Sequence, residues 1–241
     1  MRWEYGVTTH HSRIATTLPR TLESLARGGF SEPRLFVDGP IRSLPTWLRH
    51  YRLHLRETPV FAFGNWSLAL YEMVTISPDC DRYMLVQDDV LMCRNVCQYL
   101  EQVPLQPKTY LNLISWRGNG PSFKEQQEGF TGFYKTPRNG KGAQALVFDR
   151  EGVRDLLLTG RFFDHRLNLT TDSIGVRGRK NIDGVVCDSM KDRGYAEMAH
   201  WPSLVTHLHE EPSAIGNRRQ DPVESFPGAD WDARVLLRKS S

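Results

Sequence analysis

The sequence predicts a single α/β domain with a mainly parallel central sheet flanked by helices. The chain has 241 residues, a length common for one α/β domain, and 39% of them are hydrophobic, which is enough to fill a core. Its first half alternates short apolar runs with amphipathic segments, which is the pattern of strand–helix–strand units. No internal repeat interrupts this pattern.

The first predicted unit is a strand, a helix and a second strand. Residues 5–8 and 35–37 are apolar runs of strand length. Between them, leucines recur at helical spacing over residues 18–25, and Gly28 and Gly29 follow as a stop. These elements predict one strand–helix–strand unit at the start of the sheet.

The same pattern continues to residue 86. A third strand is expected at residues 60–63, followed by a helix that Asn65 caps, and a fourth strand at residues 83–86. The first half of the domain is therefore expected to span about residues 1–92.

The second half is expected to span about residues 93–217. Further strands are predicted at residues 110–114, 145–148 and 203–206, and further helices at 149–158 and 182–191. The segment 116–142 is rich in Gly, Pro, Asn and Lys, and a connection of this length is usually functional or disordered. Beyond His209 the sequence becomes polar and contains prolines, so the tail, residues 218–241, is expected to be a loop or a loosely docked helix.

Charge and cysteine content narrow the classes of protein. Lysine and arginine number 31 against 28 acidic residues, and they are scattered, so no nucleic-acid partner is expected. The four cysteines form no CxxC pair, which favours free thiols in a reducing compartment over zinc. The sequence has neither a signal-like apolar start nor a transmembrane run, and we expect a soluble cytoplasmic protein.

Two adjacent acids follow the fourth predicted strand. Asp88 and Asp89 come directly after the apolar run and Gln87, and ligands of open α/β sheets bind at the carboxyl ends of strands. Only a cation would offset the mutual repulsion of two acids in a cleft, and Mn²⁺ or Mg²⁺ bridging a diphosphate meets that need. The alternative is that the acids start a turn or cap a helix near Asn95.

Three segments together resemble the donor half of glycosyltransferases with the A-type fold (GT-A, Rossmann-like). They are residues 6–9 with Arg13, residues 35–39 and residues 85–90. The resemblance implies a nucleotide-sugar donor, most simply a UDP-sugar, and a divalent metal bound by Asp89, with Asp88 near the ribose or a metal-bound water. The implied contacts to the nucleoside and diphosphate are Thr8, Thr9, Arg13 and Asp38. Asn65 is a further donor-binding candidate, because it also follows an apolar run. Gln87 stands where many relatives carry an acid, so this position is not an anionic ligand here.

Two later segments, residues 181–188 and 201–207, resemble the N-acetylglucosaminyltransferase IV family and bacterial polysaccharide glycosyltransferases. The resemblances make about residues 1–92 the nucleotide-binding half and about residues 93–217 the half that binds the sugar and the acceptor. We expect an inverting transfer with Asp183 as the general base, because the resembling family carries an acid at the matching step, and Asp188 is the second candidate. The alternative is that Asp183 only caps its helix. The resemblance also makes His207 a candidate metal or diphosphate ligand, although a lone histidine is often only packed.

Small and aromatic residues complete the candidate site. Gly142, Ala143 and Gln144 resemble the donor-sugar wall of the A-type transferases, and the alternative is a plain strand entry. Trp116, Phe130 and Tyr134 are candidate aromatic faces for a carbohydrate acceptor, unless they pack their loop.

Two other functions remain as alternatives. One is a non-catalytic nucleotide-sugar or carbohydrate-binding module on the same fold. The other is a sugar-nucleotide nucleotidyltransferase, although no glycine-rich phosphate loop follows the first predicted strand. The motifs of P-loop kinases and of dinucleotide-binding enzymes do not occur in the sequence.

Overall fold

A computed structural model of the protein describes residues 1–41, 43–116, 120–136, 142–165, 182–208 and 223–239. The strands of its main sheet are, in chain order, Trp3–His10 (β1), Arg34–Asp38 (β2), Leu53–Arg56 (β3), Arg82–Gln87 (β4), Thr109–Asn112 (β6), Gly132–Lys135 (β7), Ala145–Asp149 (β8) and Ala196–Trp201 (β9). Two short strands, Val90–Met92 (β5) and Val205–His207 (β10), form a separate antiparallel ribbon.

The helices of the described residues flank the main sheet. They are Thr17–Arg27 (α1), Phe61–Ile76 (α2), Val96–Gln102 (α3), Phe123–Gln127 (α4), Arg150–Leu157 (α5), Gly160–Asp164 (α6) and Ile182–Asp192 (α7). Three 3₁₀ helices cover His11–Arg13, Thr46–His50 and Ala233–Lys239.

The main sheet is mostly parallel. Its spatial order within the described residues is β3-β2-β1-β4-β8-β6-β9-β7, and only β8 and β7 run against the other six strands. The chain moves outward from β1 through β2 to β3 and then returns to the other side of β1 with β4. The strand order therefore switches between β1 and β4, and in open α/β sheets ligands bind outside the carboxyl ends of the strands at such a point.

Each face of the sheet carries its own apolar core. The leucines of α1 pack on one face together with α3 and the end of the chain, and the buried side of α2 packs on the other face with α5 and α7. The amphipathic period of α1 predicts its place correctly, because its buried residues include Leu18, Leu22 and Leu25.

The third predicted strand is wrong. Residues 61–63 begin α2, and β3 is instead Leu53–Arg56, whose sequence alternates apolar and polar side chains. The helix starts early because the Asp38 carboxylate accepts hydrogen bonds from the amides of Val60 and Phe61. Asn65 consequently lies inside α2, and its predicted capping role is also wrong.

The segment predicted as a long connection, residues 116–142, contains α4 and β7 in its described part. The end of the chain docks more firmly than expected, since Val223, Ala233 and Leu236 are buried against the α3 side of the core. The boundary expected at residue 217 lies outside the described residues. All four cysteines are free thiols, and two of them, Cys93 and Cys187, are buried. No helix in the described part of the chain has the length and apolar character needed to cross a membrane.

Candidate active site

Asp88 and Asp89 form the turn between β4 and β5, directly at the switch point of the sheet. Both are buried, with 4% and 8% of their surface exposed. Thr21 of α1 fixes the backbone of this turn. Its hydroxyl donates to the Asp88 carbonyl at 2.9 Å and accepts from the Val90 amide at 3.1 Å. The two acids therefore have fixed positions at the carboxyl edge of the sheet.

Arg13 lies between the two carboxylates. It follows β1 in a short 3₁₀ helix, and its Nη1 is 2.7 Å from Asp88 Oδ1 and 3.1 Å from Asp89 Oδ2. The sequence predicts a cation beside the two acids, and a metal ion was expected in that role. The chain itself supplies one such cation, so the acid pair alone is not evidence for a metal.

His207 faces the same acids from β10. The pairing of β10 with β5 sets His207 opposite Val90, the residue after Asp89, and the Leu208 amide donates to the Asp89 carbonyl at 2.7 Å. His207 Nδ1 consequently lies 3.5 Å from Asp89 Oδ1. We call Arg13, Asp88, Asp89 and His207 the acid cluster.

The surroundings shift the pKa values of the two acids in opposite directions. Burial raises the pKa of Asp88 to about 6, although the Arg13 charge opposes this rise. Burial alone would raise the pKa of Asp89 as well, but the facing His207 and Arg13 outweigh it and hold this pKa below its usual range. Asp89 is therefore the stronger anionic ligand of the pair.

Two atoms of the acid cluster fit a divalent cation. Asp89 Oδ1 and His207 Nε2 are buried; Asp89 Oδ1 has only the 3.5 Å contact to His207 Nδ1, and His207 Nε2 has no hydrogen-bond partner among the described residues. An unmet buried polar atom is costly, and a metal ion would satisfy it. No group of three or more His, Cys, Asp or Glu side chains converges on a metal position in the described part of the chain. Mg²⁺ commonly takes only one or two carboxylates and completes its shell with phosphates and water, so this small ligand set is compatible with such an ion.

Thr8 and Thr9 at the end of β1, and Asn65 in α2, hydrogen-bond to groups of neighbouring elements. Thr9 Oγ1 donates to Asp88 Oδ2 at 2.5 Å, and Thr8 Oγ1 donates to the Val86 carbonyl at 3.4 Å. Asn65, which is 2% exposed, donates from Nδ2 to the Phe36 carbonyl at 2.9 Å. All three were predicted to contact the donor, and the structure uses each of them to join neighbouring elements at this edge.

Asp38 lies at the end of β2, as predicted, but it is buried. Its Oδ1 and Oδ2 accept from the amides of Val60 and Phe61 at 2.8 and 2.9 Å, and only 4% of the residue is exposed. Beyond it, a cavity of about 420 Å³ opens between the loop that starts at Gly39 and the end of β3. Arg56 lines this cavity, and its Nε and Nη2 are buried without hydrogen-bond partners among the described residues.

Gly142, Ala143 and Gln144 approach the acid cluster beside β4. The Gln87 side chain donates to the Ala143 carbonyl at 3.2 Å, and its backbone amide donates to the Gln144 carbonyl at 2.9 Å. An ionised carboxylate has no proton to donate in this way, which accounts for glutamine rather than an acid at position 87. Gln144 Oε1 is buried without a hydrogen-bond partner in the described structure.

Asp183 is joined to this wall. Its Oδ2 accepts from the Gly142 amide at 3.0 Å and its Oδ1 from the Gly184 amide at 2.9 Å, and burial raises its pKa despite these bonds. Asp188 lies elsewhere on α7. Its exposed carboxylate is 3.8 Å from Arg161, so the structure does not bring this second candidate base to the acid cluster.

The three predicted aromatic faces divide into two groups. The Trp116 ring lies 5.5 Å from the His207 ring and is half-buried beside the site. Tyr134 is buried and shares a hydrogen bond of 2.8 Å with the Ser115 hydroxyl, and Phe130 packs edge-on against it at 6.2 Å. Tyr134 and Phe130 therefore pack their loop, which was the alternative reading of the sequence, and Tyr134 offers no open face to an acceptor.

Comparison with solved structures identifies the fold. The crystal structure of GalNAc-T7 with UDP, GalNAc and Mn²⁺ matches 99% of this chain with a TM-score of 0.55 and 13% identity. This chain spans about half of that protein, since 48% of the GalNAc-T7 chain is covered. The likeness and the mostly parallel sheet show that the chain has the GT-A fold that the sequence predicts.

More distant likenesses include two further classes of transferase. A nucleotidyl transferase from Methanothermobacter matches 99% of this chain and 97% of its own at 12% identity, with a TM-score of 0.48. The galactosyltransferase LgtC, in complex with donor and acceptor sugar analogs, matches 80% of this chain and 72% of its own at 13% identity, with a TM-score of 0.42. No protein-family model matches the chain, and no curated protein matches it by sequence.

Proposed function

We propose that this protein is a metal-dependent glycosyltransferase that moves a sugar from a UDP-sugar to a hydroxyl group of a carbohydrate acceptor. The observation that supports the proposal is the buried acid cluster at the switch point of a GT-A sheet, in which His207 Nε2 has no hydrogen-bond partner among the described residues and Asp89 Oδ1 has only the long contact to His207 Nδ1. Mn²⁺ or Mg²⁺ would be held there by Asp89 and His207, and it would neutralise the diphosphate that leaves the sugar.

Charge supports a diphosphate at this edge. Asp88 and Asp89 carry two negative charges, and Arg13 offsets one of them. A divalent cation would reverse the remaining negative charge and leave the cluster attractive to a phosphate group. Arg13 would then orient Asp88 and Asp89, rather than contact the diphosphate as its main partner.

The cavity beyond Asp38 suits the nucleoside. Its volume of about 420 Å³ lies within the usual range of small-molecule sites. Its position at the ends of β2 and β3 is two to three interstrand steps from β4, roughly 10–14 Å across the sheet, so a ligand that reaches from the cavity to Asp89 must be extended. Nucleoside diphosphates have that shape, and the buried Arg56 guanidinium would donate to base or ribose oxygens.

Asp183 is the proposed general base. In the proposed step the acceptor oxygen forms a bond to the anomeric carbon while the bond from that carbon to the diphosphate oxygen breaks. The hydroxyl proton passes to the Asp183 carboxylate, and UDP leaves with the electron pair. This single displacement inverts the anomeric configuration. A pKa raised by burial makes Asp183 a better proton acceptor than an ordinary aspartate.

The test is UDP release from a panel of UDP-sugars, measured in Mn²⁺ and in excess chelator, for the wild-type protein and Asp89→Asn. The proposal expects turnover only with metal and a loss of most of it in the variant. Equal turnover in chelator would refute metal dependence. Binding of UDP without turnover of any UDP-sugar, with a full set of simple glycosides as acceptors, would favour the binding-module alternative.

A further inference from the structure

A second cleft is lined by Trp116, whose ring also lies beside His207 of the acid cluster. Its volume is about 260 Å³, and its walls include Ser115, Trp116, Gln126, Trp201, Glu224 and Ser225. These residues come from the ends of β6 and β9, from α4 and from the docked end of the chain. We call it the aromatic cleft.

Trp116 is shared by the aromatic cleft and the candidate active site. Its indole ring is 5.5 Å from the His207 ring at an angle of 45°. A methyl group added at Gly142 would collide with Trp116 Nε1, so the indole also touches the wall that Asp183 holds. A molecule in the aromatic cleft would thus contact a side chain that also contacts the candidate active site.

The chemistry of the walls points to a neutral polyhydroxyl ring. Two tryptophan side chains supply flat apolar surface, which suits the C–H face of a pyranose. A carboxylate, an amide and two serine hydroxyls supply hydrogen-bonding groups for ring hydroxyls. No lysine or arginine occurs among the described residues that line the cleft, so a phosphate would find no charge partner there.

Local bonds hold the polar groups of the cleft in place. Gln126 Nε2 donates to the Pro121 carbonyl at 2.7 Å, which fixes the amide of α4, and Ser225 Oγ accepts from the Ser203 amide at 3.2 Å. Gly120 completes the wall at its narrowest point, since an added Cβ would lie 3.2 Å from the Trp201 ring. Preset groups of this kind reduce the ordering cost of binding.

We infer that the aromatic cleft binds one pyranose ring of the acceptor, between the indoles of Trp116 and Trp201. This inference rests on the proposed glycosyltransferase function and assigns its acceptor subsite. The volume of the cleft falls slightly below the usual range for drug-sized ligands, which fits a single ring rather than an oligosaccharide. Trp201, Gln126 and Glu224 are the new binding residues.

The test is saturation-transfer NMR with a panel of methyl pyranosides, namely the glucoside, galactoside, mannoside, xyloside and N-acetylglucosaminide, titrated into the wild-type protein with UDP and Mn²⁺. At least one of them should bind, and Trp201→Ala and Gln126→Ala should each weaken it by about tenfold or more. Tyr71→Ala is the matched control, because Tyr71 is an aromatic residue 53% exposed on α2, away from the cleft. This control should bind as the wild type does.

Calorimetry of UDP with Mn²⁺ on the same variants separates the two proposals. UDP affinity should be unchanged in Gln126→Ala, which alters an amide on a short surface helix. This variant keeps the test valid even if Trp201→Ala fails to fold. If UDP and Mn²⁺ bind but no pyranoside does, or if pyranoside affinity is the same in Gln126→Ala and wild type, the cleft is not the acceptor subsite. If UDP fails to bind the wild-type protein, the proposed function itself fails.

Discussion

Replacing Asp38 with alanine should destabilise the fold, whatever it does to donor binding. Both carboxylate oxygens accept backbone amides at the start of α2, from Val60 at 2.8 Å and from Phe61 at 2.9 Å. Phe61 also has a φ of 62°, a left-handed conformation that costs energy for a residue other than glycine, and the bond from its amide to Asp38 helps to hold it. The sequence indicates only a strand-end contact to the donor, whereas the structure buries Asp38 as the acceptor at the start of α2.

The magnitude follows from these two bonds. Loss of a helix-capping side chain costs about 0.5–2 kcal/mol, and a buried donor left without an acceptor costs about 1–3 kcal/mol. Because both amides are partly buried, we expect Asp38→Ala to lose about 2–4 kcal/mol of unfolding free energy. For a chain of this size that corresponds to a fall in Tm of roughly 4–16 °C.

The assay is urea unfolding at neutral pH in the absence of ligand. Asp38→Asn keeps one acceptor oxygen and should lose less than Asp38→Ala. Asp79→Ala is the control, since Asp79 is an exposed acid whose side chain holds no helix end in the described structure. An Asp38→Ala protein that unfolds at the same urea concentration as Asp79→Ala would refute the capping argument.

Three further predictions concern the site and its surroundings. Asp183→Asn should lower turnover by about 10²–10⁴-fold with UDP affinity unchanged, and normal turnover would remove Asp183 as the base. The variant should also lose about 1–3 kcal/mol of unfolding free energy, because the NH₂ group of the asparagine would face either the Gly142 or the Gly184 amide, which is itself a donor. Burial lowers the pKa of His200 to about 4, so its neutral form contributes stability above pH ~6.5 that is lost as the pH falls toward 4. The loss amounts to about 3 kcal/mol of unfolding free energy, and a His200→Gln protein should lack this part of the pH dependence of urea unfolding. Arg13→Gln should lower the unfolding free energy by about 3–5 kcal/mol, because two buried carboxylates lose their internal cation. For the same reason Mn²⁺ should raise the Tm of the variant more than that of the wild type, and an equal rise in Tm would contradict this.

The elements with local signals were predictable from the sequence. The helix α1 has a clear apolar period and a glycine stop, and β1, β2 and β4 are apolar runs that end in polar residues. The order of these elements predicts a mainly parallel α/β sheet, and the resemblance of the strand-end segments to A-type transferases implies the GT-A fold. Long-range contacts play little part in these choices.

The third strand was missed because a tertiary contact decides it. Residues 60–63 are apolar enough for a strand, but Asp38, more than twenty residues earlier, starts a helix there. The sequence Leu-His-Leu-Arg of β3 shows an alternation that indicates an edge strand, and this signal was available. Its polar alternate residues fit its position at the edge of the sheet.

The sequence predicts which residues lie at the candidate site better than it predicts what each of them contacts. Polar residues after apolar runs correctly locate Thr9, Asp38, Asp88 and Asp89 at one edge of the sheet. The sequence does not reveal that Arg13 reaches both acids, since this depends on how a short 3₁₀ helix turns back from β1. The aromatic cleft was also beyond sequence reasoning, because Trp116 and Trp201 are 85 residues apart in the chain.

The most direct test of the account is a crystal structure with UDP and Mn²⁺, with diffraction data collected at the manganese absorption edge. The account predicts one strong anomalous peak within bonding distance of both Asp89 and His207 and next to the diphosphate, with the base in the cavity beyond Asp38. The Asp89→Asn protein should lose that peak under the same conditions. A bound UDP held by Arg13 alone, with manganese absent from Asp89 and His207, would contradict the central claim.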